Sequence, residues 1–168
     1  MIIFDALRSE SIGREAVVDA LQSIVSESPS AQMSPDKRIH LGRRRAGAAV
    51  SLIRFGNFAS ALKVFDVVDD PESLTQTIDR LARRGVTLKD LLECQAHAKS
   101  ETQLFGWLLS LGEFAFDDLS PDQQQGVSDL LSDWYQNDPR ASIHGATGWL
   151  LRRWNLLEVA RNLSLIHI

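Results

Sequence analysis

Three helix-terminating glycines recur along the middle of this chain, and they limit its fold more than any other feature. They close the segments Ser51-Leu52-Ile53-Arg54-Phe55-Gly56, Asp79-Arg80-Leu81-Ala82-Arg83-Arg84-Gly85 and Leu108-Leu109-Ser110-Leu111-Gly112. The glycines lie 29 and then 27 residues apart. Glycine ends helices because it enters the left-handed conformation without a steric penalty. Helix starts recur as well, at Asp70-Pro71 and Asp138-Pro139. A two-helix unit repeated every ~30–40 residues is the mark of an α-solenoid, in which no pair buries its apolar face alone. The expected fold is therefore all-α: a solenoid of stacked antiparallel helix pairs, a HEAT-like or armadillo-type superhelix. A helical bundle is the competing architecture.

The segments between these marks carry helical periodicity. Val17, Leu21 and Ile24 recur at helical spacing between Ser11 and Glu27, and a stretch with four serines and a proline follows from Ser26 to Ser34. Ser34-Pro35 reads as a cap followed by proline at the first helical position. The helix it opens carries two apolar stripes, Ile39–Ala46–Val50–Ile53 and Leu41–Ala48–Leu52–Phe55. Two stripes imply neighbours on more than one side. A short helix over Phe58 to Val67 follows. The helix after Asp70-Pro71 is expected to face inward through Leu74, Ile78 and Leu81. Thr87 with Asp90, Ser100 with Gln103, and Ser120 with Gln123 have capping-box spacing. They open helices bearing Leu88, Leu91 and Leu92; Leu104, Leu108 and Leu111; and Val127, Leu130, Leu131 and Trp134. Ile143, Thr147, Leu150 and Trp154 form the inner face of the next helix.

The expected organisation is an N-terminal helix and Ser-rich loop over 1–33, helical repeats over 34–155, and a short C-terminal helix or non-native tail over 156–168. The unfinished last segment, Ser164-Leu165-Ile166-His167-Ile168, suggests a piece of a longer polypeptide.

Composition narrows the function classes. Of 168 residues, 44% are hydrophobic, enough for a sizeable core. The formal charge of −4 works against nonspecific nucleic-acid binding, which draws on long-range attraction to phosphates. A single cysteine leaves no internal disulfide and no cysteine-based zinc site. There is no apolar run long enough to span a membrane. The start Met1-Ile2-Ile3-Phe4-Asp5 lacks the basic residues and apolar stretch of a secretory signal, so a cytoplasmic setting is expected.

Cys94 and His97 have metal-ligand spacing but lack two further ligands, and a core thiol with a surface histidine is preferred. His40 and His144 come with no nucleophile elbow. Asp117, Asp118 and Asp122 lack the residue order of a calcium loop and suit the positive end of the helix at Pro121. Gly42-Arg43-Arg44-Arg45, with Lys37, Arg38 and Arg54, is the sharpest charge feature. It reads as a solvated helix face, with Arg43 nearest the apolar stripe and able to cross to an acidic neighbour. Phosphate contact through Lys37, Arg44 and Arg45 is the lesser reading. Trp149-Leu150-Leu151-Arg152-Arg153-Trp154 could anchor a partner, since Trp and Arg concentrate in binding hot spots. The preferred reading is that Trp154 is core and the arginines complement their helix end. No residue is assigned as catalytic, cofactor-binding or metal-ligating, and no cofactor is expected.

Taken together, Ala48-Ala49-Val50-Ser51-Leu52-Ile53-Arg54-Phe55-Gly56, Asp70-Pro71, Leu108-Leu109-Ser110-Leu111-Gly112-Glu113-Phe114, and Asp138-Pro139 through His144-Gly145-Ala146 to Trp149–Trp154 carry a resemblance. They resemble the HEAT-like helical-repeat region of large bacterial multidomain proteins. In those proteins a serine/threonine protein kinase domain often precedes the repeats and a formylglycine-generating (sulfatase-modifying) type domain often follows. The resemblance covers roughly Pro35 to Trp154. The chain contains neither a kinase glycine loop nor a His-Arg-Asp loop, so no catalytic residue carries over. What the resemblance implies is a noncatalytic spacer or protein–protein interaction scaffold. Its partners would be neighbouring domains of the same polypeptide or another protein. Two alternatives stand beside it: a fragment of a kinase or formylglycine-generating-type enzyme whose catalytic domain lies outside this chain, and a nucleic-acid-binding helical repeat.

Overall fold

Local capping chemistry sets most of the helix boundaries. The computed structural model describes residues 11–66 and 70–157, which hold eight α-helices and no strand. They are α1 (Ser11–Ser26), α2 (Pro35–Arg54), α3 (Phe58–Ala61), α4 (Glu72–Leu81), α5 (Leu88–Cys94), α6 (Glu101–Leu111), α7 (Pro121–Asn137) and α8 (Ala141–Arg153). Tighter 3₁₀ turns extend α3 over Leu62–Phe65, α4 over Ala82–Arg84 and α5 over Gln95–His97. Another such turn, Phe116–Asp118, lies in the loop before α7. The fold class is all-α, as the periodicity predicts. The expected start at Met1–Asp5, the end of the short helix at Val67, and the last helix and tail beyond Leu157 lie outside the described residues.

Two of the three expected capping boxes form completely. The Thr87 hydroxyl accepts from the Asp90 amide at 3.2 Å, and the Asp90 carboxylate accepts from the Thr87 amide at 2.8 Å. Ser120 and Gln123 exchange the same bonds. At Ser100 only half the box exists, because the Gln103 side-chain carbonyl accepts from Lys99 N instead (2.8 Å). Ser34 precedes Pro35 as expected, but its side chain makes no capping bond. Both Asp-Pro starts share one device: Asp70 Oδ1 accepts from Glu72 N at 3.0 Å, and Asp138 Oδ1 from Arg140 N at 2.9 Å. The side-chain hydrogen bond from Arg140 also holds the Asp138 carboxyl below its usual pKa.

The stop glycines divide into two kinds. Gly56 (φ 75°) and Gly85 (φ 76°) take the left-handed conformation, and the amides of Asn57 and Val86 reach back to Leu52 and Leu81. Gly112 does not; its φ is −65°. A Cβ there would meet Trp149 Cη2 at 2.2 Å, so glycine is required to admit an indole ring. Asn155 (φ 57°) supplies the left-handed cap of α8, with Leu156 N bonded to Leu151 O at 2.7 Å. Asn155→Gly should raise stability by about 0.5–1 kcal/mol, because glycine enters that conformation without strain. A Tm measurement checks it.

The most extensive helix–helix packing is α2 on α4; α6 packs closely on α8, and a smaller contact joins α4 to α6. Helix α1 closes on α2, and α7 on α8. Helix α2 and helix α4 advance together, Gly42 lying at Glu72, Arg45 at Ser73 and Arg54 at Arg84. Helices α6 and α8 do the same, with Glu101 at Ser142 and Gly112 at Arg153. The core collects Leu52, Leu81, Leu108, Leu111, Leu131, Ile143, Leu150 and Leu151, all fully buried. Each such side chain contributes roughly 1.5–3 kcal/mol on leaving water. Thr147 joins the core as the stripe predicts, yet its hydroxyl has no hydrogen-bond partner. Thr147→Val should therefore stabilise by about 1 kcal/mol, read from urea unfolding.

Candidate functional site

The arginine-rich turn of α2 divides between solvent and core. Lys37, Arg43 and Arg44 are exposed, and Arg44 pairs with Glu27. Arg45 is 1% exposed. Its Nε donates to Val25 O at 2.9 Å, Nη1 to Ser73 Oγ at 2.9 Å and Nη2 to Lys63 O at 3.3 Å. One guanidinium thus joins the end of α1, the turn after α3 and the start of α4. Burial lowers its pKa, opposed by the nearby charges of Asp66, Asp70 and Glu27. Arg43 faces water, in line with the solvated-face reading, and the arginine that crosses between helices is Arg45 rather than Arg43. Position 45 falls between Leu41 and Ala48 on the second apolar stripe, so helical spacing did place it inward. It follows that Arg45 cannot reach a phosphate on an outside strand.

That clamp turns α4 away from its expected register. Ser73, Thr77 and Leu81 face the core, while Leu74 and Ile78 are only half-buried. Ser73 is drawn inward as an Arg45 acceptor, and Thr77 Oγ1 bonds the Ser73 carbonyl at 2.6 Å. Leu74 and Ile78 instead line a groove of about 340 Å³ between α4 and α6 with Thr75 and Leu109. Asp79 and Glu113 also line it. Asp79 pairs with Arg83 at 3.2 Å, and Glu113 lies 3.9 Å from Arg153. The sequence reading assigned Leu74 and Ile78 to the interior and so missed this groove. Half-exposed aliphatic residues bounded by charge are suited to covering an apolar protein segment.

The Trp149–Trp154 segment folds back on its own chain. Arg153 Nε donates to Gly112 O, and its guanidinium lies 5.7 Å from the Trp149 ring centre. Trp154 Nε1 donates to Phe114 O at 3.0 Å, and its ring packs on Phe116 at 5.2 Å. Trp154 is 7% exposed, as the core reading requires, and Trp149 is half-buried over Gly112.

The remaining titratable candidates are dispersed. Cys94 is buried; desolvation pushes its thiol from an ordinary 9.0 up to about 12, with Asp90 and Glu93 adding to the rise. His97 is exposed and packs on Phe58 with ring centres 5.6 Å apart. His144 stacks on Tyr135 at 4.8 Å, and His40 is exposed on α2. Asp117, Asp118 and Asp122 are exposed beside the start of α7. A cavity of about 560 Å³ lies where α1 meets the end of α2 and the start of α3. It carries Arg14, Glu15, Asp19 and His97 over Val18, Phe55 and Phe58. Arg14 Nη2 is engaged by Phe55 O at 2.9 Å, at the negative end of α2. Among the described residues, no group of three or more His, Cys, Asp or Glu side chains could hold a metal ion.

Cys94 supports a direct chemical test. Iodoacetamide should leave the folded chain unmodified at pH 8 and label it rapidly in urea, because the thiolate is the reactive form. Its effect on stability has a definite sign. A thiol held protonated in the fold contributes stability that is complete below pH 9 and is lost as the pH climbs toward 12. Cys94→Ala should flatten that part of the pH profile.

No family model, curated protein or solved structure matches this chain. None of its described helices is long and apolar enough to cross a membrane.

Proposed function

We propose that this chain is a noncatalytic HEAT-like repeat segment, a spacer and protein–protein interaction scaffold within a larger multidomain polypeptide of the kinase and formylglycine-generating kind. The observation that carries the reading is the Leu74–Ile78–Leu109 groove between α4 and α6. It lies within a series of alternate helices, α2, α4, α6 and α8, each packed on the next. Stacked helix pairs produce such a series, since alternate helices then fall into one layer, and that layer is where repeat proteins hold partners. The chemistry of the side chains points the same way. The thiol is buried and protonated, and among the described residues His40, His97 and His144 stand apart on different elements.

The partner is a neighbouring domain or a second protein that lays an apolar segment across the groove. A photo-crosslinking residue at Leu109, introduced in the cell the chain comes from, should give one discrete adduct. Leu74→Ser with Ile78→Ser should abolish the adduct while lowering Tm by only a few degrees, because both side chains are already half in water. If the same adducts form from Gln125 on α7, or the double variant unfolds, the scaffold reading is wrong.

A further inference from the structure

The groove between α4 and α6 is charged at one end only. Leu74, Thr75 and Ile78 of α4 and Leu109 of α6 form its uncharged part, and Asp79 and Glu113 complete the lining. No basic side chain lines it. Asp79 follows Ile78 in the last turn of α4, and Glu113 follows Gly112, the residue that closes α6. Two carboxylates therefore meet one apolar recess where two helices finish. Helix C-terminal ends carry partial negative charge and favour cations. Helix stability thus disfavours acids at both places, and the ion pairs they form return little. Asp79 and Arg83 are 48% and 76% exposed; Glu113 and Arg153 are 41% and 50% exposed and lie 3.9 Å apart. Exposed pairs contribute between zero and about 1 kcal/mol. Arg153 is held mainly by Gly112 O and the Trp149 ring. A carboxylate has two oxygens and about four acceptor positions, so an arginine at each leaves room for a further cation.

We propose that this groove selects its occupant by charge: it takes an apolar segment of a partner protein that carries a lysine or arginine beside its apolar anchors, with the cation held against Asp79 and Glu113. Both side chains join an apolar stem to a charged tip. One of them can therefore lie along Leu74, Ile78 and Leu109 and still present its charge to the carboxylates. Beside side chains that exclude water, the attraction exceeds that of an open surface pair. An acidic segment is repelled there, and a neutral one gains apolar burial alone. This selectivity deepens the scaffold reading, and rests on it, by fixing which end of the bound segment lies toward the ends of α4 and α6.

The test is an NMR titration of the ¹⁵N-labelled chain with n-hexylammonium, hexan-1-ol and hexanoate, which share an alkyl stem and differ in charge. The ammonium should shift the Ile78, Leu109 and Glu113 amides saturably and bind about threefold or more tighter than the alcohol, with hexanoate weakest. Asp79→Asn with Glu113→Gln should erase that preference while moving Tm by no more than about 2 °C, since both ion pairs are exposed. Arg83→Gln removes the cation at Asp79 and should strengthen the preference, whereas an Asp79 that serves only its own helix would give no change. Equal binding of ammonium and alcohol, tighter hexanoate, no saturable shift in the groove, or a preference that survives the double substitution would overturn the charge selection. The Leu109 adduct reports on the scaffold separately. Its crosslinked segment should carry a lysine or arginine within about one helical turn of the attachment point. The adduct should fall several-fold in the Asp79→Asn, Glu113→Gln variant. An adduct unchanged in that variant overturns the charge selection alone, and no adduct from the parent chain overturns the scaffold reading with it.

Discussion

Arg45→Ala is expected to lower stability by about 3–5 kcal/mol, the range seen when a buried hydrogen-bonded charge is removed. The side chain is essentially inaccessible, and its three donors serve Val25 O, Ser73 Oγ and Lys63 O. Truncation leaves those acceptors in the interior with nothing to replace water, each costing roughly 1–3 kcal/mol if no water enters. The lost aliphatic stem adds a cavity. Arg45→Met would refill the stem but not the bonds, so its loss should be smaller and still well above 1 kcal/mol. The neighbouring Arg44→Ala is the internal control. Its side chain is 59% exposed, and its pairing with Glu27 lies at the surface. Such a pair contributes between zero and about 1 kcal/mol. Urea unfolding of the three variants checks the ordering. Equal effects at positions 44 and 45 would mean that the guanidinium does not hold α1, the turn after α3 and α4 together.

The same clamp shows where sequence reading succeeds and where it stops. The boxes at Thr87–Asp90 and Ser120–Gln123 were legible because both partners lie within four residues and the geometry is local. Leu108, Leu111, Leu131, Ile143 and Leu150 were legible because helical spacing alone selects the buried side. The interior of α4 was not. Its Leu74–Ile78–Leu81 stripe is the more apolar choice, yet Ser73 and Thr77 are buried. The reason lies 28 residues away, in the Arg45 donor that reaches Ser73, and spacing within α4 carries no trace of it. The groove between α4 and α6 was missed for that reason, since it consists of side chains that reading had already placed inside. Gly112 is a third case. Its place at a helix end suggested a left-handed cap, whereas its need for glycine comes from Trp149 in another helix.

Gly106→Ala should be destabilising by about 2–3 kcal/mol, reversing the usual benefit of alanine inside a helix. Gly106 lies in the middle of α6, where alanine would ordinarily add about 1 kcal/mol. Here the ring of Phe65 presses on the helix backbone. A Cβ at position 106 would stand 2.4 Å from Phe65 Cγ and 2.5 Å from Cδ1. Because the clash is at the root of the ring, rotating its far edge away gives no relief. Phe65 is itself 7% exposed and packed in the core, so the turn after α3 must lift from α6 as a unit. That movement would strain the nearby links from Asp66, which accepts from Gln103 Nε2 at 2.9 Å and from Ser100 Oγ at 3.2 Å. Gly126→Ala provides the contrast. It lies within α7 with nothing near its absent Cβ, so alanine there should add about 1 kcal/mol. A calorimetric scan should therefore place the two variants on opposite sides of the parent Tm. If both rise together, the close approach of Phe65 to α6 is not present in solution, and the join between α3 and α6 is looser than these distances imply.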